Sequence, residues 1–246
     1  MHSSAWARRG GVWLAGAVLL LGGASAQAEQ AADRAVWDGL LHKHVKNGLV
    51  DYQGVKRDEA QLDTYLASLA APLPSSATKE ERMAFWINAY NANVFKSVLA
   101  NMPLKSVKDV KGFFDKIQHS VGGEPLVLNA MEANARAFGD WRTHAAVNCA
   151  SASCPPLRDE AYAPERLDQQ LAEQATRWLA DPQRGLRLEG KMLWGSKIFK
   201  WYAKDFVPSG QVSTATLLPV LERSLDRSFA QQIRQDNPAL KFMEYD

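Results

Sequence analysis

The chain has 246 residues, 46% of them hydrophobic, with 29 Lys and Arg against 27 Asp and Glu. That length and apolar content, with eight Trp, supply one generous core or at most two domains. The near-even charge leaves no basic excess of the kind a nucleic-acid binder needs, and the small cluster Lys105, Lys108 and Lys111 is interrupted by Asp109 and reads as a solvated loop.

The first thirty residues point to export. Arg8 and Arg9 form a short positive region, Gly11 to Gly23 is apolar, and Ala26-Gln27-Ala28 is a small-x-small cleavage signal. The apolar run is shorter than the roughly 20 residues that span a bilayer. We therefore expect residues 1–28 to be a secretory signal peptide cut after Ala28, leaving residues 29–246 as a single globular domain, periplasmic or secreted. Removal takes two Arg and no acid, so the remainder has 27 basic residues against 27 acidic ones. No 18-residue apolar run follows, so no transmembrane segment is expected after cleavage.

Asp33 to Val45 carries Val36, Trp37, Leu40, Leu41 and His44 at helical spacing. A short extended piece at Gly48–Tyr52 and a second helix over Gln61–Leu69 follow. Thr78-Lys-Glu-Glu81 is a capping box that opens the strongest helix, Glu80 to Ala100, with Pro103 just beyond its end. Phe113 to Leu128 reads as a hairpin around Gly122-Gly123. Asn129 to Glu132 reads as a cap that opens a short helix to Phe138, and Thr143 to Asn148 as a buried strand. Pro164 to Ala180 is helical, with Pro at the first turn. Leu186, Leu188, Met192 and Trp194 alternate around Gly190 as a second hairpin. Ser196–Phe206 reads as a short aromatic helix and Thr214–Ile233 as a helical tail. The sum is an α+β fold, helix-rich, with short antiparallel strands.

The segment Trp141–Leu157, WRTHAAVNCASASCPPL, gathers His144, Asn148, Ser151, Ser153 and both cysteines before a diproline. Three functions can be written on it. Cys149 and Cys154 can staple a binding loop, since an exported protein with two cysteines commonly pairs them. One of them can be a thiol nucleophile activated by His144. The pair can also be a redox dithiol, although its spacing is C-x4-C rather than C-x-x-C.

On the Glu80 helix, Asn88 and Asn91 share one otherwise apolar face. A buried amide must be paired, because leaving it unsatisfied costs roughly 1–3 kcal/mol. Either these amides tie loop backbone to the helix, or they project into a polar pocket beside the cysteine loop.

FWINAYNA at Phe85–Ala92, THAAVNCASASCPPL at Thr143–Leu157 and KIFKWYAKDF at Lys197–Phe206, with VDYQGV at Val50–Val55, resemble the domain-of-unknown-function family 547 over roughly residues 35 to 230. The resemblance brings no established reaction. Some relatives are fused to glutaredoxin-like or signalling modules, which implies redox or scaffold settings. Asn88, Asn91, His144 and Ser153 are the positions most like the family's shared polar set.

These readings converge on a polar cleft between the Asn88/Asn91 face and the His144–Cys154 loop, with Trp201 and Asp205 nearby. As a binding module of the cell envelope, its expected binding residues are Asn91, Glu132, Asn148, Trp201 and Asp205, for a small molecule or peptide, with a Cys149–Cys154 disulfide. As a hydrolase or transferase, it would use Cys154 or Ser153 with His144, oriented by Asn88, Glu132 or Asp205. His42 and His44 lie two apart on a helix and point to different faces, so neither a metal nor a cofactor is expected.

Overall fold

The computed structural model describes residues 33–246; the expected signal peptide lies outside the described residues. Residues 33–44 form helix α1. A minimal hairpin follows, β1 (Val45–Lys46) and β2 (Leu49–Val50), then α2 (Tyr52–Arg57) and α3 (Glu59–Ser68).

The organising element is α4, Lys79–Ala100. Thr78 accepts from the Glu81 N–H at 3.2 Å while the Glu81 carboxylate accepts from the Thr78 N–H at 2.7 Å, so the capping box is complete. From Ile87 to Phe95 every residue of α4 is buried without a break, so this stretch of the helix is wrapped on all sides. Trp37 is sealed between Tyr65, stacked at 5.6 Å, and Phe95, edge-on at 5.1 Å. Side chains of this size each contribute roughly 1.5–3 kcal/mol when removed from water.

Strands β3 (Gln118–Val121) and β4 (Glu124–Val127) pair antiparallel around Gly122-Gly123. Both glycines take positive φ, +66° and +90°, as a two-residue hairpin turn requires. Strand β4 runs straight into α5 (Leu128–Arg136), which packs along α4. The expected Asn129 cap is not used: Val127 stands at the cap position, and the Asn129 N–H donates to Phe114 O at 2.9 Å.

The expected strand at Thr143–Asn148 is instead helical at α6 (Thr143–Ala146). Asp140 makes the difference, because its carboxylate accepts from the Arg142 N–H at 3.0 Å and its carbonyl from the Thr143 N–H at 3.1 Å, starting a helical turn. A short apolar run does not distinguish buried strand from buried helix by periodicity.

A second core lies toward the C-terminal side. Helix α7 (Leu167–Leu179) follows a 3-10 turn at Pro164–Arg166. Its Trp178 stacks on Phe199 at 5.1 Å, and Phe199 meets Phe206 edge-on at 5.0 Å. The expected hairpin is β5 (Leu186–Glu189) with β6 (Met192–Gly195), paired from Leu186↔Gly195 to Glu189↔Met192. The aromatic helix is split at Tyr202 into α8 (Ile198–Trp201) and α9 (Ala203–Phe206). The helical tail is likewise broken into α10 (Thr214–Leu221) and α11 (Arg227–Asp236), because Asp226 caps a new helix by accepting from Ser228 and Phe229 N–H groups at 2.9 and 3.1 Å. Strand β7 (Ala239–Phe242), unforeseen in the sequence, joins β6 in parallel. Among the described residues no helix is long and apolar enough to cross a membrane.

Candidate functional site

A cavity of about 390 Å³ opens between α4, α5, the cysteine loop and α8. Glu132, His144, Trp201 and both cysteines line it, so five of the residues singled out in the sequence meet at one place. Tyr90 from α4 and Tyr202 complete its wall.

Behind the cavity wall, His144 joins a relay through one carboxylate oxygen of Asp205, which, like Arg136, does not itself line the cavity. Asp205 Oδ2 accepts from Arg136 Nε at 2.7 Å and pairs with His144 Nε2 at 2.8 Å. Arg136 also stacks over the Tyr202 ring, its guanidinium carbon 4.3 Å from the centroid. His144 lies against Tyr202 and Phe206, ring centroids 4.5 and 5.2 Å away, and is only 2% exposed. Glu132 and Arg136 fall at i and i+4 on α5, so one helix face delivers both.

The environment sets the protonation states. Burial pulls His144 down to about 4, against the Asp205 hydrogen bond that favours the cation and with the Arg136 charge that opposes it. Burial works against the charge on Asp205 as well, but hydrogen bonds from Arg136 and His144 outweigh it and hold the carboxyl below its usual range. Burial raises Glu132, reinforced by the Asp205 charge and opposed by the Tyr202 hydroxyl and Arg136. A neutral imidazole bonded to a carboxylate carries its proton on Nε2, which leaves Nδ1 as an acceptor. Nδ1 forms no hydrogen bond among the described residues.

The cysteine loop is stapled. Cys149 and Cys154 form a disulfide with Cα atoms 6.2 Å apart, and no free cysteine remains among the described residues. The Cys154 thiol expected as a nucleophile is therefore consumed in this state. Cys154 Sγ accepts from the Cys149 N–H at 2.9 Å and from the Tyr245 hydroxyl at 3.2 Å. Ser153, the alternative nucleophile, does not reach His144; its Oγ accepts from the Asp246 N–H at 2.9 Å.

Two asparagines, Asn91 and Asn148, brace the site from behind rather than lining it, and a third, Asn88, clamps backbone elsewhere. Asn91 donates to Ala146 O and accepts from the Asn148 N–H, both at 2.9 Å, clamping α6 and the loop to α4. Asn148 donates to Pro155 O at 2.8 Å and accepts from the Ala150 N–H at 2.9 Å, spanning the loop from inside. Ala150 sits at φ +59°, a conformation that costs a non-glycine residue roughly 1–2 kcal/mol and that this bracing holds in place. Asn88 makes the same two-way clamp to Tyr162, at 2.8 and 3.0 Å. It borders a different, larger depression of about 850 Å³ with Tyr65, Phe85 and Pro164. The orienting role considered for Asn88 and the ligand role for Asn91 and Asn148 thus give way to backbone clamping.

Arg136, Tyr90 and Tyr245 were not foreseen as site residues. The i, i+4 spacing of Arg136 from Glu132 was a usable signal, whereas Tyr90 sits in an apolar helix and nothing local marks Tyr245. Among the described residues no group of three or more His, Cys, Asp or Glu is placed to hold a metal ion.

Residues 74–179 match the model of a family described as a protein of unknown function, DUF547. The matched stretch contains the asparagine clamps, Glu132, Arg136, His144 and the cysteine loop, whereas Trp201, Asp205 and Tyr245 lie beyond it. No curated protein and no solved structure matches the chain.

Proposed function

We propose that the chain is exported and serves in the cell envelope as a binding module for a small molecule or peptide. One observation carries this reading: three separate segments, α5, the Trp141–Leu157 stretch and α8, deliver Glu132, His144 with the disulfide, and Trp201 to a single cavity of about 390 Å³. Concave sites with aromatic walls and a few converging polar groups are where ligands bind, and titratable groups pushed away from their usual range collect there. Trp201 is 55% exposed at the mouth, an apolar surface available to a ligand. The disulfide and the Asn91 clamp fix the loop beforehand, which lowers the ordering cost of binding.

The test is a ligand screen by thermal shift on the purified protein, repeated with Trp201→Ala and Glu132→Gln. A true ligand raises the melting temperature of the parent and does so less in both variants. Equal shifts in all three proteins put the ligand elsewhere. Fractionation of cells producing the full chain tests export: the protein is expected outside the cytoplasm, about 28 residues shorter than the translated chain.

A second reading, a hydrolase or transferase, draws on the orientation of His144. With Nε2 engaged by Asp205, Nδ1 is left free to take a proton, the division of labour found in nucleophilic triads. The nucleophile would be Cys154 after a dithiol has reduced the disulfide; His144 takes the thiol proton, the thiolate attacks an acyl carbon, the leaving group departs with that proton, and water or a second acceptor then cleaves the acyl-Cys154 thioester and returns a proton to the thiol. Alkylation with and without prior reduction decides it. A thiol that reacts unusually fast near neutral pH after reduction, and ordinarily in His144→Asn, supports the enzyme.

A further inference from the structure

Residues 243–246 continue from β7 across the mouth of the cavity. The Met243 N–H extends the sheet by donating to Gly195 O at 2.9 Å. Beyond it, Glu244 pairs with Lys197 at 2.7 Å, and the Tyr245 ring turns inward, edge-on to Trp201 with centroids 4.7 Å apart. The Tyr245 hydroxyl reaches both sulfurs, at 3.2 Å from Cys154 Sγ and 3.6 Å from Cys149 Sγ. Asp246 is held by its backbone from both sides: its N–H donates to Ser153 Oγ at 2.9 Å, and its main-chain O accepts from Ser151 Oγ at 2.5 Å.

This is how a receptor holds an extended peptide. Two hydroxyls spaced two residues apart receive the N–H and the O of one residue, contacts that any residue can make. The neighbouring side chain fills a pocket, and that pocket selects. Backbone bonds supplying affinity while side-chain pockets supply specificity is the general pattern of peptide recognition. Tyrosine suits the pocket, since its ring meets Trp201 and its hydroxyl finds a partner on the disulfide. The Glu244–Lys197 pair is solvent-exposed and adds orientation more than affinity.

We propose that the rim of the cavity, where Tyr245 and Asp246 now form part of the lining, is a peptide site whose ligand is an extended segment carrying an aromatic residue, and that Glu244–Asp246 is the intramolecular segment such a ligand displaces. This deepens the binding-module reading and rests on it. A tethered segment competes at high effective concentration, so the full chain binds peptide more weakly by the fraction of time its own strap is lifted.

The experiment compares the full chain, a chain lacking residues 244–246 and the full-length Tyr245→Ala variant. The probes are acetyl-Glu-Tyr-Asp-amide and acetyl-Glu-Ala-Asp-amide, titrated by calorimetry and by Trp fluorescence, with circular dichroism confirming that each protein is folded. The shortened chain is expected to bind the Tyr peptide at least about tenfold more tightly than the full chain, and at least about tenfold more tightly than it binds the Ala peptide. Tyr245→Ala shows the same preference with a smaller gain, and serves if the shortened chain does not fold. Folded variants that bind the Tyr peptide no better than the full chain overturn the proposal. If such variants still answer to a small-molecule ligand through Trp201 and Glu132, the peptide assignment falls and the binding module stands. If they answer to nothing, both fall.

Discussion

The pairing of a buried imidazole with a carboxylate predicts a specific dependence of stability on pH. His144 is held near 4 in the folded chain by burial, against an ordinary value of 6.5. Its folded value is depressed, so the fold favours the neutral ring. The resulting stability is fully present above 6.5 and is lost as pH falls from 6.5 towards 4. At 1.36 kcal/mol per unit the loss reaches roughly 2–3 kcal/mol by about pH 4.5. Glu132 works in the opposite sense: raised by burial, it contributes stability below about 4.5 that is lost as pH rises. A Glu132→Gln background removes that counter-slope. The assay is urea unfolding at half-unit intervals from pH 4.5 to 7.5, in that background with and without His144→Asn. His119 is also lowered by burial, but it is present in both proteins and cancels in the difference. The His144 protein should lose roughly 2–3 kcal/mol more than its Asn partner across the range. Parallel curves would show that the imidazole is as free to protonate in the fold as in the unfolded chain, and the site's electrostatics as described here would be wrong.

Three further outcomes follow from the same geometry. Asn91→Leu leaves Ala146 O and the Asn148 N–H without partners in a buried place and should cost about 2–6 kcal/mol, measured by chemical unfolding, against about 1 kcal/mol for Asn93→Ala, whose amide bonds only Ala89 O within its own helix. Replacing both cysteines by Ser opens a loop with a sequence separation of 5 and should cost about 2 kcal/mol in the same assay, without unfolding the chain at room temperature. Arg136→Gln removes a positive charge that holds His144 down and leaves Asp205 to the imidazole alone, so the His144 titration followed by NMR should move upward from about 4.

The legible parts of this fold are those decided locally. The capping box at Thr78 and the Gly122-Gly123 turn need only neighbours in sequence, and both stand where the residues put them. The misreadings share one cause. The turn at Asp140, the split at Tyr202 and the new cap at Asp226 are single-residue decisions inside apolar runs whose periodicity is too short to arbitrate. Strand β7 depends on a β6 edge more than forty residues away, which no local pattern announces. The site divides in the same way. The reading of the sequence set Trp201 and Asp205 near the His144–Cys154 loop and weighed Glu132 as an orienting group, but which His144 nitrogen is engaged, and that Asn91 clamps backbone, are set by contacts across 55 residues or more.

The chemistry left facing the cavity argues for a particular kind of ligand. Arg136 and Asp205 neutralise one another within the relay, and Asp205 fixes the imidazole with its proton on Nε2. The other ring nitrogen of His144, Nδ1, is then an acceptor. Burial raises Glu132, so its carboxyl holds a proton more readily than a free one and in that form has an O–H to donate. With Glu132 protonated, the cavity wall holds a carboxyl donor and an imidazole acceptor, and a neutral amide, whose N–H and C=O are the complementary pair, suits such a lining. An anion would meet the Nδ1 lone pair and the Glu132 carboxyl, and burying it there would carry the desolvation cost of an unpaired charge. The cations Lys108, exposed, and Lys197, half-buried, stand beside the tail at the rim, where Lys108 Nζ donates to Tyr245 O at 3.5 Å and Lys197 takes Glu244. Charge therefore guides a ligand's flank, while the interior asks for uncharged polar groups on an aromatic frame. A peptide segment with an aromatic side chain meets both conditions, and so does the chain's own Glu244–Tyr245.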